Sequence, residues 1–174
     1  FIPLKKRARI ARGKGGKIFL SLHCNASKNQ RSRGAEVYFL SDAKTAEAAE
    51  VAKRENAVLD LKTNGADSSR LDPELDGIVS GLLSTQFLKE SQDLSALICM
   101  EIAQTVTGVE NRGVKQANFY VMRGTMGTMP SALVEMGFIT NLSEEKRLRS
   151  TAFQKKMAEA IYREGLKNVA AGAN

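Results

Sequence analysis

The chain holds one histidine, His23, which closes the apolar run Ile18-Phe19-Leu20-Ser21-Leu22. A second anomaly lies far downstream: Glu135 is set inside Leu133-Val134-Glu135-Met136, where an acid is costly unless it is paired or faces a ligand. A neutral imidazole can hold a metal ion, and a carboxylate can take a proton from water at that ion. The pair is therefore the minimum equipment of a metal-assisted hydrolase. By residue type alone it does not decide the matter, because a lone histidine near a core is more often a hydrogen-bonded structural residue than a ligand. Cys24 follows His23 directly, so on a strand the two side chains point to opposite faces and do not readily share one metal; Cys24 reads as core. Cys24 and Cys99 form neither a CxxC motif nor a disulfide framework.

The elements that must position His23 and Glu135 follow from periodicity. Gly13, Gly15 and Gly16 precede the His23 run, whose short, unbroken apolar character predicts a strand buried on both faces. His23 then sits at a carboxyl end, where open α/β sheets bind ligands. Leu4, Ala8 and Ala11 at helical spacing predict a short basic helix from Pro3 to Arg12. Asn25 to Arg33 is polar and reads as a loop at the ligand edge, and Ala35 to Leu40 as a second strand. Ser41-Asp42 offers an N-cap for a long helix reaching about Leu61. From Glu74 to Val106 apolar positions recur at three and four, which predicts one or two amphipathic helices packed on a sheet. Asn118 to Arg123 reads as a third strand and Ser131 to Met136 as a fourth, the one that carries Glu135. Ser143-Glu144-Glu145 opens a turn of helix, and Ala152 to Val169 is a closing amphipathic helix. The sum is an α/β domain in three layers, a mostly parallel twisted sheet flanked by helices.

Composition agrees with one globular domain, since 174 residues with 43% hydrophobic and 26% charged are enough for a sizeable core. No apolar run reaches membrane-spanning length, so no transmembrane segment is expected. A monomer is the expected state. The net charge of +7 is uneven, for every charged residue from Lys5 to Arg33 is basic. Such a stretch favours an anionic partner such as a cell-wall polymer or a membrane surface, or is a solvated helix face. With 6% aromatic residues and no RNA-binding aromatic signature, nucleic acid is not expected as a partner.

Ser21-Leu22-His23-Cys24-Asn25-Ala26 and Val134-Glu135-Met136-Gly137-Phe138-Ile139-Thr140-Asn141 resemble two signature stretches of the zinc-dependent N-acetylmuramoyl-L-alanine amidases, the amidase-3 family of peptidoglycan hydrolases. Leu4-Lys5-Lys6-Arg7-Ala8-Arg9-Ile10-Ala11, Arg54-Glu55-Asn56 and Arg112-Gly113-Val114-Lys115-Gln116-Ala117 resemble that family in the same order, so the likeness runs almost the whole length. The resemblance implies one amidase catalytic domain over 1–174 with a phosphorylase/hydrolase-like fold. It implies zinc as cofactor, His23 as a zinc ligand, Glu135 as general base and then acid, and Asn25 as a substrate-binding residue. The implied reaction is hydrolysis of the amide between the lactyl group of N-acetylmuramic acid and L-alanine of the stem peptide. Peptidoglycan would be the partner, and the place periplasmic or extracellular at the cell wall, in wall remodelling or daughter-cell separation.

Two further zinc ligands of the family, a histidine in a Gly-His-Gly-Gly-type turn and a glutamate one helix later, correspond to positions upstream of Phe1. A first strand and helix go with them, so the expectation is that the N-terminal part of the domain is missing from this chain. Some division-related members carry an inserted helix that occludes the zinc and is released by an activator protein. The acidic stretch Asp67 to Asp76 makes Glu74 the candidate autoinhibitory plug. The rival readings are a wall-binding module that kept the fold and lost catalysis, and a basic nucleic-acid-binding α/β domain.

Overall fold

The computed structural model describes residues 2–57 and 81–171. Glu74, the acidic stretch around it and the expected end of the second helix at Leu61 lie outside the described residues. The elements run, in chain order, α1 (Leu4–Gly13), β1 (Phe19–Asn25), β2 (Ala35–Leu40), α2 (Ala46–Asn56), α3 (Gly81–Thr105), β3 (Asn111–Ala117), α4 (Tyr120–Arg123), β4 (Ser131–Phe138), α5 (Leu142–Leu148) and α6 (Thr151–Ala171). The second helix starts later than the Ser41-Asp42 cap predicts. Thr45 caps it instead, its side chain accepting from the Ala48 N–H and satisfying a donor that the first turn leaves unpaired.

The four strands lie in the order β1-β4-β2-β3. β1 runs parallel to β4, β2 runs parallel to β3, and the two pairs meet in an antiparallel seam between β2 and β4. Two of the three pairings are parallel, as expected, yet the pairs point in opposite directions. One edge of the sheet therefore gathers the carboxyl ends of β1 and β4 together with the amino ends of β2 and β3.

The alternation of side chains divides the core into two layers. On one face Val37, Ala132 and Val134 pack with Leu94, Ile98 and Ile102 of α3 and with Phe153, Met157 and Ile161 of α6. On the other, Tyr38 and Leu133 pack with Leu4 of α1, Val51 and Ala52 of α2 and Val121 and Met122 of α4. Each such large apolar side chain contributes about 1.5–3 kcal/mol on burial. β4 is central and buried on both faces, which fits its near-continuous apolar sequence.

Three expectations are corrected here. β1 is not buried on both faces: it is an edge strand of the described sheet, with Leu22 at 52% exposure, and an apolar run does not by itself distinguish edge from centre. Cys24 is exposed rather than core, standing near the end of the same edge strand as the exposed Leu22. Burial, then the charge of Glu135, push its thiol pKa up, so it stays protonated and is a poor nucleophile. Asn118 to Arg123 is not a strand. Its apolar residues form the one-turn α4, with Phe119 and Met122 fully buried, and the third strand is the polar stretch Asn111–Ala117 just before it. β3 is an edge strand held by charged side chains, so it lacks the apolar pattern that sequence reading looks for. Its register against β2 shifts between Ala35 and Val37, opposite Arg112 and Gly113, and Gly113 takes φ 83° there, a conformation open to glycine. The irregularity lets Arg112 and Lys115, three residues apart, reach the same carboxylate.

Candidate active site

Strand register brings the two sequence anomalies side by side: His23 of β1 pairs with Glu135 of β4, and Glu36 of β2 pairs with Glu135 from the other side. Period two puts all three on the face covered by α2, whose last turn carries Arg54 and Glu55. His23 Nδ1 lies 2.6 Å from Glu55 Oε2, and Nε2 lies 2.9 Å from Ser21 Oγ. His23, Glu55 and Glu135 each present one ligand atom, and these atoms lie within 4.8 Å of one another. Glu135 is fully buried, and neither of its oxygens has a hydrogen-bond partner among the described residues. Burial, then the charges of Glu55 and Glu36, push its pKa up to about 8 against the opposing pull of Arg54. A buried carboxylate without donors, facing an imidazole and a second carboxylate, is what a divalent cation would satisfy, and one nitrogen with carboxylate oxygens is a donor set that zinc accepts.

Glu36 stands in the opposite condition. It is fully buried, and its Oε1 accepts from Asn25 Nδ2 and Tyr38 Oη, both at 2.7 Å. Its Oε2 accepts from Arg112 Nε at 2.8 Å and Lys115 Nζ at 2.6 Å. Burial pulls its pKa up, but the hydrogen bonds from Lys115, Arg112 and Tyr38 outweigh it and leave the group below its usual value. Arg112 and Lys115 also pair with Glu47 of α2, which ties the helix to the edge strand.

A third carboxylate braces the frame. Glu144, on α5 and buried, accepts from the Gly34 N–H at 2.9 Å through Oε1 and from the Phe138 N–H at 2.8 Å through Oε2. It thereby links the entry to β2 with the exit from β4, two residues before Glu36 and three after Glu135. The same exit is held to β1, for the Ile139 N–H donates to the Asn25 carbonyl at 2.8 Å.

The family model described as Amidase_3, N-acetylmuramoyl-L-alanine amidase, matches residues 1–168. The chain belongs to this family. It is similar to the amidase AmiA of Salmonella typhimurium, 35% identical over 163 residues that cover 92% of this chain and 55% of that protein. AmiA of Escherichia coli is similar to the same extent, again 35% identical over 163 residues with 92% of this chain and 55% of the relative covered. The chain thus spans about half the length of these curated relatives. Among solved structures, the amidase AmiC2 of Nostoc punctiforme superposes with a TM-score of 0.65 at 26% identity, covering 98% of this chain and 67% of that one. The mixed sheet flanked by helices is the amidase fold.

Within this fold the structure brings His23 and Glu135 together as the sequence suggests, and it adds Glu55. The resemblance places the companion ligands of His23 upstream of Phe1 and offers none within the chain, where Arg54-Glu55-Asn56 is a family-like stretch without an assigned role. Asn25 is 1% exposed, and its amide is engaged by Glu36, the Ala26 N–H and Arg54. Glu36 was overlooked, though an acid inside Ala-Glu-Val-Tyr-Phe-Leu is the same anomaly that singled out Glu135. A cavity of about 560 Å³ lies elsewhere: it opens at the amino end of β4 beside α1 and α4, lined by Arg12, Leu40, Phe87, Tyr120 and Ser131. No helix among the described residues is long and apolar enough to cross a membrane.

Proposed function

We propose that this chain carries the hydrolytic centre of a zinc-dependent N-acetylmuramoyl-L-alanine amidase that acts on peptidoglycan outside the cytoplasm. The observation that carries the reading is Glu135, buried and without hydrogen-bond donors among the described residues, its ligand atom within 4.8 Å of those of His23 and Glu55. When bound, zinc would polarise the scissile amide carbonyl and acidify the attacking water. Among the described residues, His23 and Glu55 are those that would hold it, beside the upstream ligands that the family resemblance implies. Glu135 accepts the proton of that water as its oxygen bonds to the lactyl carbonyl carbon, and then delivers the proton to the nitrogen of L-alanine as the C–N bond breaks. Its raised proton affinity suits both halves, because a group poised near neutral pH can take a proton and return it. Asn25 supports the site from beneath by fixing Arg54, and Glu144 holds the strand ends on which Glu36 and Glu135 stand.

The test is release of stem peptide from purified peptidoglycan by the zinc-loaded protein. Release should be abolished by a chelator and by Glu135→Ala. Release that persists undiminished in Glu135→Ala would refute the assignment.

A further inference from the structure

Arg54 occupies the last turn of α2, next to the Glu55 that contacts His23, and its Nη2 donates to Asn25 Oδ1 at 2.8 Å. The anchoring acceptor is rigid: Asn25 is buried, its Nδ2 donates to Glu36 at 2.7 Å, and its Oδ1 also accepts the Ala26 N–H at 2.8 Å. Arg54 itself is exposed and has no carboxylate in ion-pair contact among the described residues. The basic residues of β3 differ, since Arg112 and Lys115 are both paired with Glu36 and Glu47. A guanidinium held through one N–H by a neutral amide keeps four donors, in a planar fork that matches a carboxylate bidentately.

We propose that Arg54 is the specificity-determining residue for a free carboxylate on the second amino acid of the peptide released from the scissile amide. This rests on the amidase reading above. His23 and Asn25 lie two residues apart on one face of β1, about 7 Å along the strand. Two residues of extended peptide span about 7 Å as well, so a substrate peptide leaving the reacting centre along β1 brings its second residue to Arg54. In the stem peptide that residue is a D-glutamate joined through its side chain, which leaves its α-carboxylate free unless the wall is amidated there.

The experiment compares two muramoyl peptides that differ only in this group, carboxylate against carboxamide, with the zinc-loaded protein. Wild type should favour the carboxylate by about tenfold or more in kcat/KM, carried mainly by KM. Arg54→Gln should bring the ratio close to one, and Arg54→Lys should restore part of it. A wild-type ratio of one, or a ratio unchanged in Arg54→Gln whatever its absolute rate, overturns the proposal. If wild type cleaves neither peptide, the amidase reading is what fails, and calorimetric titration of both peptides decides the role of Arg54. Tighter binding of the carboxylate peptide that is lost in Arg54→Gln upholds it, and equal binding of both peptides overturns it.

Discussion

Glu36 and Glu135 stand opposite each other across the antiparallel seam between β2 and β4, and one accepts hydrogen bonds from four side chains while the other accepts none from the described residues. The same residue type, at the same depth and in adjacent strands, is held ionised in one case and pushed towards the protonated form in the other. The difference lies in the donors that β1, β2 and β3 supply to Glu36 and withhold from Glu135.

The pH dependence of stability should report Glu135. Its folded pKa of about 8 lies above the ordinary value of 4.5, so between these limits the folded protein holds a proton that the unfolded chain has released. Stability of the metal-free protein then falls as pH rises through that window. Glu135→Gln should remove this slope. Urea unfolding of both proteins near the two ends of the window should give a difference on the order of a few kcal/mol. Parallel pH profiles for the two would contradict the assignment.

Glu36→Ala should destabilise by about 3–5 kcal/mol, because it strands Arg112 and Lys115 beside a vacated site and leaves the Tyr38 hydroxyl and the Asn25 amide short of an acceptor. Glu36→Gln keeps an acceptor and should cost less. Chemical denaturation midpoints at constant m-value check both.

Zinc should raise the melting temperature of the chelator-treated protein, with about 2.7 kcal/mol of stabilisation at a free concentration one hundred times Kd. His23→Ala should lose that response, and Glu55→Ala should weaken it. A shift in melting temperature that survives His23→Ala would place the ion elsewhere.

Glu144→Ala should cost about 2–4 kcal/mol, since it leaves two buried N–H groups, those of Gly34 and Phe138, without acceptors. Hydrogen exchange at these two amides should accelerate ahead of the rest of the sheet. Unchanged protection at both would show that the brace is dispensable.

The sequence already showed the layered α/β architecture, because β2, β4 and α6 have the periodicities of their settings. His23 and Glu135 were visible for a physical reason: each is a polar exception where the neighbouring pattern demands burial. Glu55 was not, because an acid on a helix carrying Lys53 and Arg54 looks like any solvated turn until β1 is laid beside it. β3 was misplaced for the converse reason. Beyond its backbone ladder with β2, it is tied in by Arg112 and Lys115 reaching across to β2 and α2, and ion pairs between elements distant in the chain leave no periodic trace. The apolar residues of Asn118–Arg123 drew the strand assignment instead, although they serve a buried helical turn.

The carboxylate of Glu36 draws its donors from β1, β2 and β3, and the offset at Gly113 is what aligns the two from β3. A slip of β3 by one residue would turn Arg112 and Lys115 towards the opposite face and leave an acid sealed in the sheet with its compensation lost. The network therefore acts as a checksum on assembly: only one alignment of three strands neutralises the charge, and misaligned sheets are penalised by the very group that steadies the correct one.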